Sequence, residues 1–283
     1  MPVWQTSRFT IDLSKPQVMG IVNVTPDSFS DGGQHDNVSA AMRHAEKLLV
    51  DGADILDIGG ESTRPGSPAV PLQEELRRVT PLLAQAVKLG VPISIDTYKP
   101  EVMQAALDLG VDIINDIWAL RQPGARAVVA QHPSCGVCLM HMHADPQTMH
   151  AEHMAEAGTV LEVLTFLQQQ TALLLREGVK ESRIVWDAGT GFGKSVAQNF
   201  LLLQQQPQLM VDGYPLLAGW SRKGSIGKVT GRPVTERMPG SVAAALLSVE
   251  HGAAIVRVHD VRETVDALAV LQAMRHPAQQ IFN

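Results

Sequence analysis

Two cysteines, Cys135 and Cys138, are the only thiols in 283 residues, too few for a disulfide framework. A strong charge of one sign is also missing. The formal net charge is -6, and no run of Lys or Arg is long enough to make a patch for nucleic acid or a membrane surface. No apolar run approaches the roughly 20 residues of a membrane span, and the opening MPVWQTSRFTIDLS is not a basic segment followed by an apolar one. These absences point to a cytoplasmic protein whose cationic sites are local. No linker rich in Pro, Gly or Ser divides the chain, so a single domain over 1–283 is expected, and a hydrophobic content of 45% supplies a large core.

What the chain has is a series of eight short apolar runs that each end in a polar or charged residue. They are MGIVN (to Asn23), ADILD (Asp57), VPISID (Asp96), VDIIN (Asn115), GVCLMH (His141), RIVWD (Asp187), PLLAGWSRK (Lys223) and AAIVR (Arg257). Runs of this kind read as strands buried on both faces, and the helical periodicity between them reads as crossover helices. The pattern predicts an α/β fold, a (β/α)8 barrel, with the polar run ends on the rim where such barrels place their active sites.

Between the runs, Ser39 is expected to cap a helix carrying Met42, Ala45, Leu48 and Leu49, with Gly52 ending it. Further helices fit QEELRRVTPLLAQAVKLG, PEVMQAALDLG, the span near Val160 to Glu177, Ala197 to Gln206, SVAAALLSVEHG and VRETVDALAVLQAM. In the last, Val261, Val265, Leu268 and Leu271 recur as a docked helix requires. Two connections, 24–36 and 60–71, are longer than most βα loops and are expected to be mobile active-site loops.

Two short motifs suggest other chemistry. C-G-V-C has the spacing of redox and zinc sites, with His132, His141 and His143 nearby. Strand alternation, however, sends Cys138, Met140 and Met142 one way and Leu139, His141 and His143 the other, so convergence on one ion is disfavoured. Residues 188–195, AGTGFGKS, come within one residue of a P-loop, which keeps a nucleotide hydrolase in view. The competing reading is that glycines 189, 191 and 193 let the backbone turn tightly beneath a ring whose edge Asp187 meets.

The run ends form two chemical groups. Asp96, Asn115 and Asp187 can read the donor and acceptor edge of a heterocycle. Asn23, Thr63, Arg64, Lys223, Arg257 and His259 suit an anion, since guanidinium forks match phosphate oxygens.

Several long motifs, in order, then give a resemblance to the dihydropteroate synthase family: MGIVNVTPDSFSDGG at 19–33, DIGGESTRPG at 57–66, SIDTYKPEV at 94–102, INDI at 114–117, LMHMH at 139–143, DAGTGFGK at 187–194, SRKGSIG at 221–227 and RVHDVRET at 257–264. The resemblance implies a (β/α)8 barrel, commonly a homodimer, that joins 4-aminobenzoate to 7,8-dihydropterin-6-ylmethyl diphosphate with Mg2+. It assigns Asp96, Asn115, Asp187 and Lys223 to the pterin ring, with Met140 and Phe192 lining the pocket. It gives Asn23 to magnesium, Thr63, Arg64, Arg257 and His259 to the diphosphate, and counts Val258 among the substrate-binding residues. Thr25, Asp27, Phe29 and Pro65 would help close the site and, with Ser221 and Arg222, form or support the 4-aminobenzoate pocket. Of these, Asp96, Arg64, Lys223, Arg257 and His259 are expected to act in catalysis.

The chain departs from the family at Ala188, where Pro is usual, at Gly224, where many members have Ser, and at Tyr98, where smaller residues are common. The alternatives to the synthase are a pterin-binding barrel of the methyltransferase type, which would not need the diphosphate cluster, and the P-loop hydrolase.

Overall fold

The computed structural model describes residues 2–24, 34–62, 69–145, 154 and 158–277. A short antiparallel hairpin, β1 (Val3–Gln5) and β2 (Thr10–Asp12), leads into eight parallel strands that close on themselves. These are β3 (Gln17–Asn23), β4 (Ile55–Gly59), β5 (Ile93–Asp96), β6 (Ile113–Asp116), β7 (Gly136–Met140), β8 (Ile184–Asp187), β9 (Leu216–Ala218) and β10 (Ile255–Val258), with β10 pairing back to β3. All eight expected runs are barrel strands. Around them lie α1 (Gln34–Val50), α2 (Leu72–Ala86), α3 (Pro100–Asp108), α4 (Ala125–Gln131), α5 (Thr159–Arg176), α6 (Val196–Gln204), α7 (Gly224–Thr230), α8 (Met238–Glu250) and α9 (Val261–Arg275). No described helix is long and apolar enough to cross a membrane.

Alternation along each strand makes two cores. Outward side chains such as Val22, Leu56, Ile58, Ile95, Ile114, Leu139, Trp186 and Val256 pack under the helices. Inward ones, Met19, Ile55, Ile113, Cys138, Val185, Leu217 and Ile255, form a separate apolar layer that Trp4, Ile11 and Leu13 of the hairpin complete. The hairpin is therefore a plug for the lower end of the barrel. Trp4 is fully buried, its Nε1 donates to the Arg183 carbonyl at 2.9 Å, and a Cβ at Gly136 would stand only 3.0 Å from that nitrogen. Arg8 pairs with the buried Asp112 at 2.6 Å, and Asp112 also accepts from the Ile93 N–H at 2.9 Å, which ties the plug to β5.

Three local expectations change. α1 begins at Gln34, so Ser39 lies within the helix and does not cap it, and residues 34–36 of the expected 24–36 loop are helical. Helices α4 and α7 were not anticipated, and neither was the hairpin, whose three-residue strands show only one buried position each. In α9, Val261 and Leu268 are buried and Val265 and Leu271 pack at the edge of the outer core, as the spacing required.

Because Trp4 fills the end of the barrel, Trp4→Ala should cost about 3–5 kcal/mol of stability through lost burial and a cavity. Chemical denaturation checks this, and an unchanged midpoint would mean that the hairpin is not a plug.

Candidate functional site

One layer above the apolar interior, the inward positions turn polar. Arg257 reaches across from β10 and donates through Nε to Asp57 Oδ2 and through Nη2 to Asp96 Oδ2, each at 2.6 Å. Asn115 Nδ2 donates to the same Asp57 oxygen at 3.2 Å. Burial opposes the charge on Arg257, but Asp57 and Asp96 more than offset it and raise its pKa. Burial also pushes the Asp96 carboxyl up, against the pull of Arg257. Asp187, at the end of β8, is raised by burial as well and accepts from the Gly189 N–H at 2.7 Å. Lys223 lies across from it, lowered to about 8 by burial and by Arg257.

An apolar wall flanks this layer. Ile117, Met140, Met142 and Phe192 form one buried cluster against which Tyr98 and Trp118 pack, and the Lys223 ammonium sits 4.1 Å from the centre of the Phe192 ring. Both sides of the wall hang on tight turns. Asp116 Oδ1 accepts from Trp118 N and Oδ2 from Leu120 N, each at 2.7 Å. That cap holds Ala119 (φ 52°) and Leu120 (φ 58°) in the left-handed region, a backbone cost on the order of 1–3 kcal/mol per residue. On the other side, Gly189 has φ 67°, and a Cβ there would fall 1.8 Å from the His141 carbonyl oxygen. The Lys194 amine is buried and donates to the carbonyls of Gly189 (2.9 Å), His141 and Phe192 (3.2 Å each).

At the rim, the His259 N–H donates to Ser221 Oγ at 3.1 Å, and His259 Nδ1 lies 2.9 Å from the same oxygen. Arg222, in the left-handed region at φ 57°, pairs with Asp260 at 2.6 Å. The start of the 60–71 connection is held by α2 and the start of α3: Arg78 donates to the Gly60 carbonyl at 2.9 Å, and Lys99 pairs with both Glu61 and the buried Glu75. Tyr98 joins this group, its hydroxyl donating to Glu61 at 3.1 Å.

Most of the expected residues meet here. Asp96, Asn115, Arg257, Asp187, Lys223, Met140, Phe192, Ser221 and His259 belong to the layer, its wall or the adjoining rim. Thr25, Asp27, Phe29, Thr63, Arg64 and Pro65 lie outside the described residues. Val258 packs its side chain in the outer core, as its place one residue after inward Arg257 dictates, so any part it takes in binding falls to its backbone. Asp57 and Arg257 stand within their strands rather than at the ends, because the polar layer lies one level below the rim. Lys223 follows β9 by several residues and occupies the position preceding α7. Sequence reasoning gave Asp57 no ligand role, and the structure makes it the hub of the hydrogen bonds.

The C-G-V-C motif is not a centre of either kind. Cys135 lies in the outer core and Cys138 in the inner layer, and the described residues contain no group of three metal-ligating side chains. The P-loop reading is also overturned. Lys194 is engaged by three carbonyls, and Ser195 is the N-cap of α6, accepting from the Gln198 N–H while Gln198 returns a bond to its backbone. Neither side chain faces a phosphate site.

For magnesium, Asn23 at the end of β3 presents an amide oxygen near Gly59, 3.8 Å from where a Cβ of that glycine would stand. A single hard oxygen from the protein fits an Mg2+ ion whose remaining ligands are phosphate oxygens and water.

The fold and site thus define a closed (β/α)8 barrel that gathers carboxylates, an amide and cations beside an apolar wall. The sequence match agrees with that class: a family model described as pterin binding enzyme matches residues 19–259, and the chain belongs to that family. It is 50% identical to the dihydropteroate synthase of Neisseria meningitidis serogroup B over 96% of this chain and 97% of that one. Among solved structures, the Xanthomonas albilineans dihydropteroate synthase with 4-aminobenzoic acid has a TM-score of 0.91 at 50% identity, covering 97% of this chain and 98% of that one. The Burkholderia cenocepacia dihydropteroate synthase complexed with 7,8-dihydropteroate has a TM-score of 0.90 at 49% identity, covering 99% and 98%.

His141, just past β7, takes no part in the polar layer. Its ring meets the edge of Phe166 at 4.9 Å, and burial, aided by Lys194, lowers its pKa to about 2. The unfolded chain therefore binds a proton below its ordinary value of 6.5 that the folded one refuses, and stability falls as pH falls from 6.5 toward 2. In denaturation curves at pH 7 and pH 5, His141→Leu should lose less stability on acidification than the parent, by about 1.4 kcal/mol per pH unit at most. Equal losses would refute the buried neutral imidazole.

Proposed function

We propose that this protein is a dihydropteroate synthase, condensing 7,8-dihydropterin-6-ylmethyl diphosphate with 4-aminobenzoate to 7,8-dihydropteroate and diphosphate in folate biosynthesis. The near full-length match to synthases at about half identity carries the reading. In this reading the protein is cytoplasmic and a homodimer, and 24–36 and 60–71 act as mobile loops over the site. The methyltransferase-type alternative gains no support from the relatives, which are synthases.

In the reaction the C–O bond at the pterin methylene breaks, the arylamine nitrogen forms the new C–N bond and loses a proton, and diphosphate departs. Asp96, Asn115, Asp187 and Lys223 bind the ring edge, while Phe192 and Met140 hold its faces. Support for Asp96 and Asp187 as acceptors comes from the buried Asp187 carboxyl and the largely enclosed Asp96 carboxyl beside the apolar wall. The electron-rich dihydropterin delocalises the positive charge left on the methylene, and Asp96 favours it electrostatically. Arg64, Arg257, His259 and Thr63 bind the leaving group, and they lower the barrier to the extent that they hold it more tightly as its charge grows. When bound, Mg2+, held by Asn23, supplies further charge neutralisation at the diphosphate. A neutral arylamine is already nucleophilic, so no strong base is required. Exclusion of water protects the electron-poor carbon from capture as a hydroxymethyl pterin.

The direct test is the purified protein with both substrates and magnesium, following dihydropteroate. Arg257→Ala should lower kcat on the order of a hundredfold with a smaller effect on pterin affinity. Equal turnover in mutant and parent would remove Arg257 from the chemistry. A Cβ at Gly224 meets nothing within 4 Å, so Gly224→Ser introduces a hydroxyl without strain beside Lys223. It should lower the KM for 4-aminobenzoate by about two- to tenfold, the range of one added hydrogen bond, and an unchanged KM would dismiss any role for position 224.

A further inference from the structure

We infer that Asp57 is a positioning residue, which fixes the edge that Asn115 presents to the ring and holds the Nε side of Arg257; this rests on the function proposed above. Asp57 is the third residue of β4, fully buried between the apolar interior and the rim. Its Oδ2 takes both the Arg257 Nε at 2.6 Å and the Asn115 Nδ2 at 3.2 Å, while its buried Oδ1 has no hydrogen-bond partner among the described residues.

A carboxylate has acceptors and no donor, so the only edge Asn115 can turn toward it is the NH2. Its carbonyl oxygen is thereby turned from Asp57 and kept as an acceptor for a ring N–H or amino group. Without that carboxylate, the amide is free to flip by half a turn, since its two ends have nearly the same shape. The second consequence concerns Arg257, which is held at two points, Nε on Asp57 and Nη2 on Asp96. Asp96 is assigned to the ring, so a bound pterin competes with Nη2 for it. Asp57 is out of reach of that competition, one layer deeper and fully buried, and keeps the guanidinium anchored through Nε while the other end is released.

The test is Asp57→Asn, which preserves shape but offers Asn115 either a donor or an acceptor. The KM for the pterin diphosphate should rise roughly tenfold, the scale of one misoriented buried hydrogen bond, and the KM for 4-aminobenzoate should change by less than about twofold. In an Asn115→Ala background the same substitution should add nothing to the loss of affinity for a diphosphate-free pterin, because the group it orients is gone, whereas the hold on Arg257 acts at the diphosphate and should still show in kcat. Calorimetric binding of a diphosphate-free pterin keeps the cycle readable if turnover becomes too slow. An unchanged pterin affinity in Asp57→Asn, or an equal loss with and without Asn115, would overturn the inference. Failure of the parent to make dihydropteroate while still binding pterin would instead overturn the proposed function and leave the binding cycle to decide the role of Asp57.

Discussion

The site depends on keeping one guanidinium charged inside a barrel. Arg257 is only one-fifth exposed, with a side-chain accessibility of 20%, and it faces Asp57 at 0% and Asp96 at 12%. Breaking such a pair leaves an uncompensated buried charge, which is far more costly than the intact pair. The neighbouring groups feel the same balance: burial raises Asp96 and Asp187 and lowers Lys223, and each is partly restored by the opposite charges around it. The layer is therefore one electrostatic unit. In the proposed reaction, a ring donor placed on Asp96 would disturb Arg257, which couples ring recognition to the cation proposed for the leaving group.

Such a layer needs a dry floor and a fixed frame. The floor is the inner apolar cluster, sealed by Trp4, Ile11 and Leu13 from the hairpin. Closing that end leaves the polar layer bounded below by packed side chains. The frame comes from turns that carry their own cost. Asp116 caps the left-handed Ala119–Leu120 pair, and by doing so seats Ile117 in the wall beside Met140 and Phe192. Strain of this sort persists where surrounding contacts determine it, and here both carboxylate oxygens are committed to the task.

Much of this was legible in the sequence because a parallel barrel strand, buried on both faces, must be a short continuous apolar run. That signal is strong enough to find all eight strands. It fails for the hairpin, where three-residue strands bury a single residue each, and for the seven-residue α4 and α7, which span too few turns to display a period. Run ends were a good guide to the rim but marked Asp57 only as a strand terminus. Its partners, Asn115 and Arg257, are 58 and 200 residues away, and no local pattern reports a contact across the barrel. At Val258, next to inward Arg257, strand alternation turns the side chain to the outer core, a placement that the period-two pattern does report.

The AGTGFGKS segment shows how the same residue types serve a different end. In a phosphate-binding loop, backbone N–H groups and a lysine converge on an anion. Here the amine of Lys194 is surrounded by carbonyl oxygens of Gly189, His141 and Phe192, so the lysine binds the protein's own backbone. Burial lowers its pKa to about 7, while three acceptors match the three donors of an ammonium and favour the charged form. The glycines are needed for approach: a side chain at 189 would collide with the His141 carbonyl, and one at 193 would lie 2.7 Å from the Cβ of His143. The resulting turn gives Asp187 an N–H partner and sets Phe192 under Lys223. A glycine-rich turn ending in Gly-Lys-Ser thus becomes part of the apolar wall beside the polar layer, because the strand before it ends in an inward carboxylate and the lysine is directed into the turn rather than out of it.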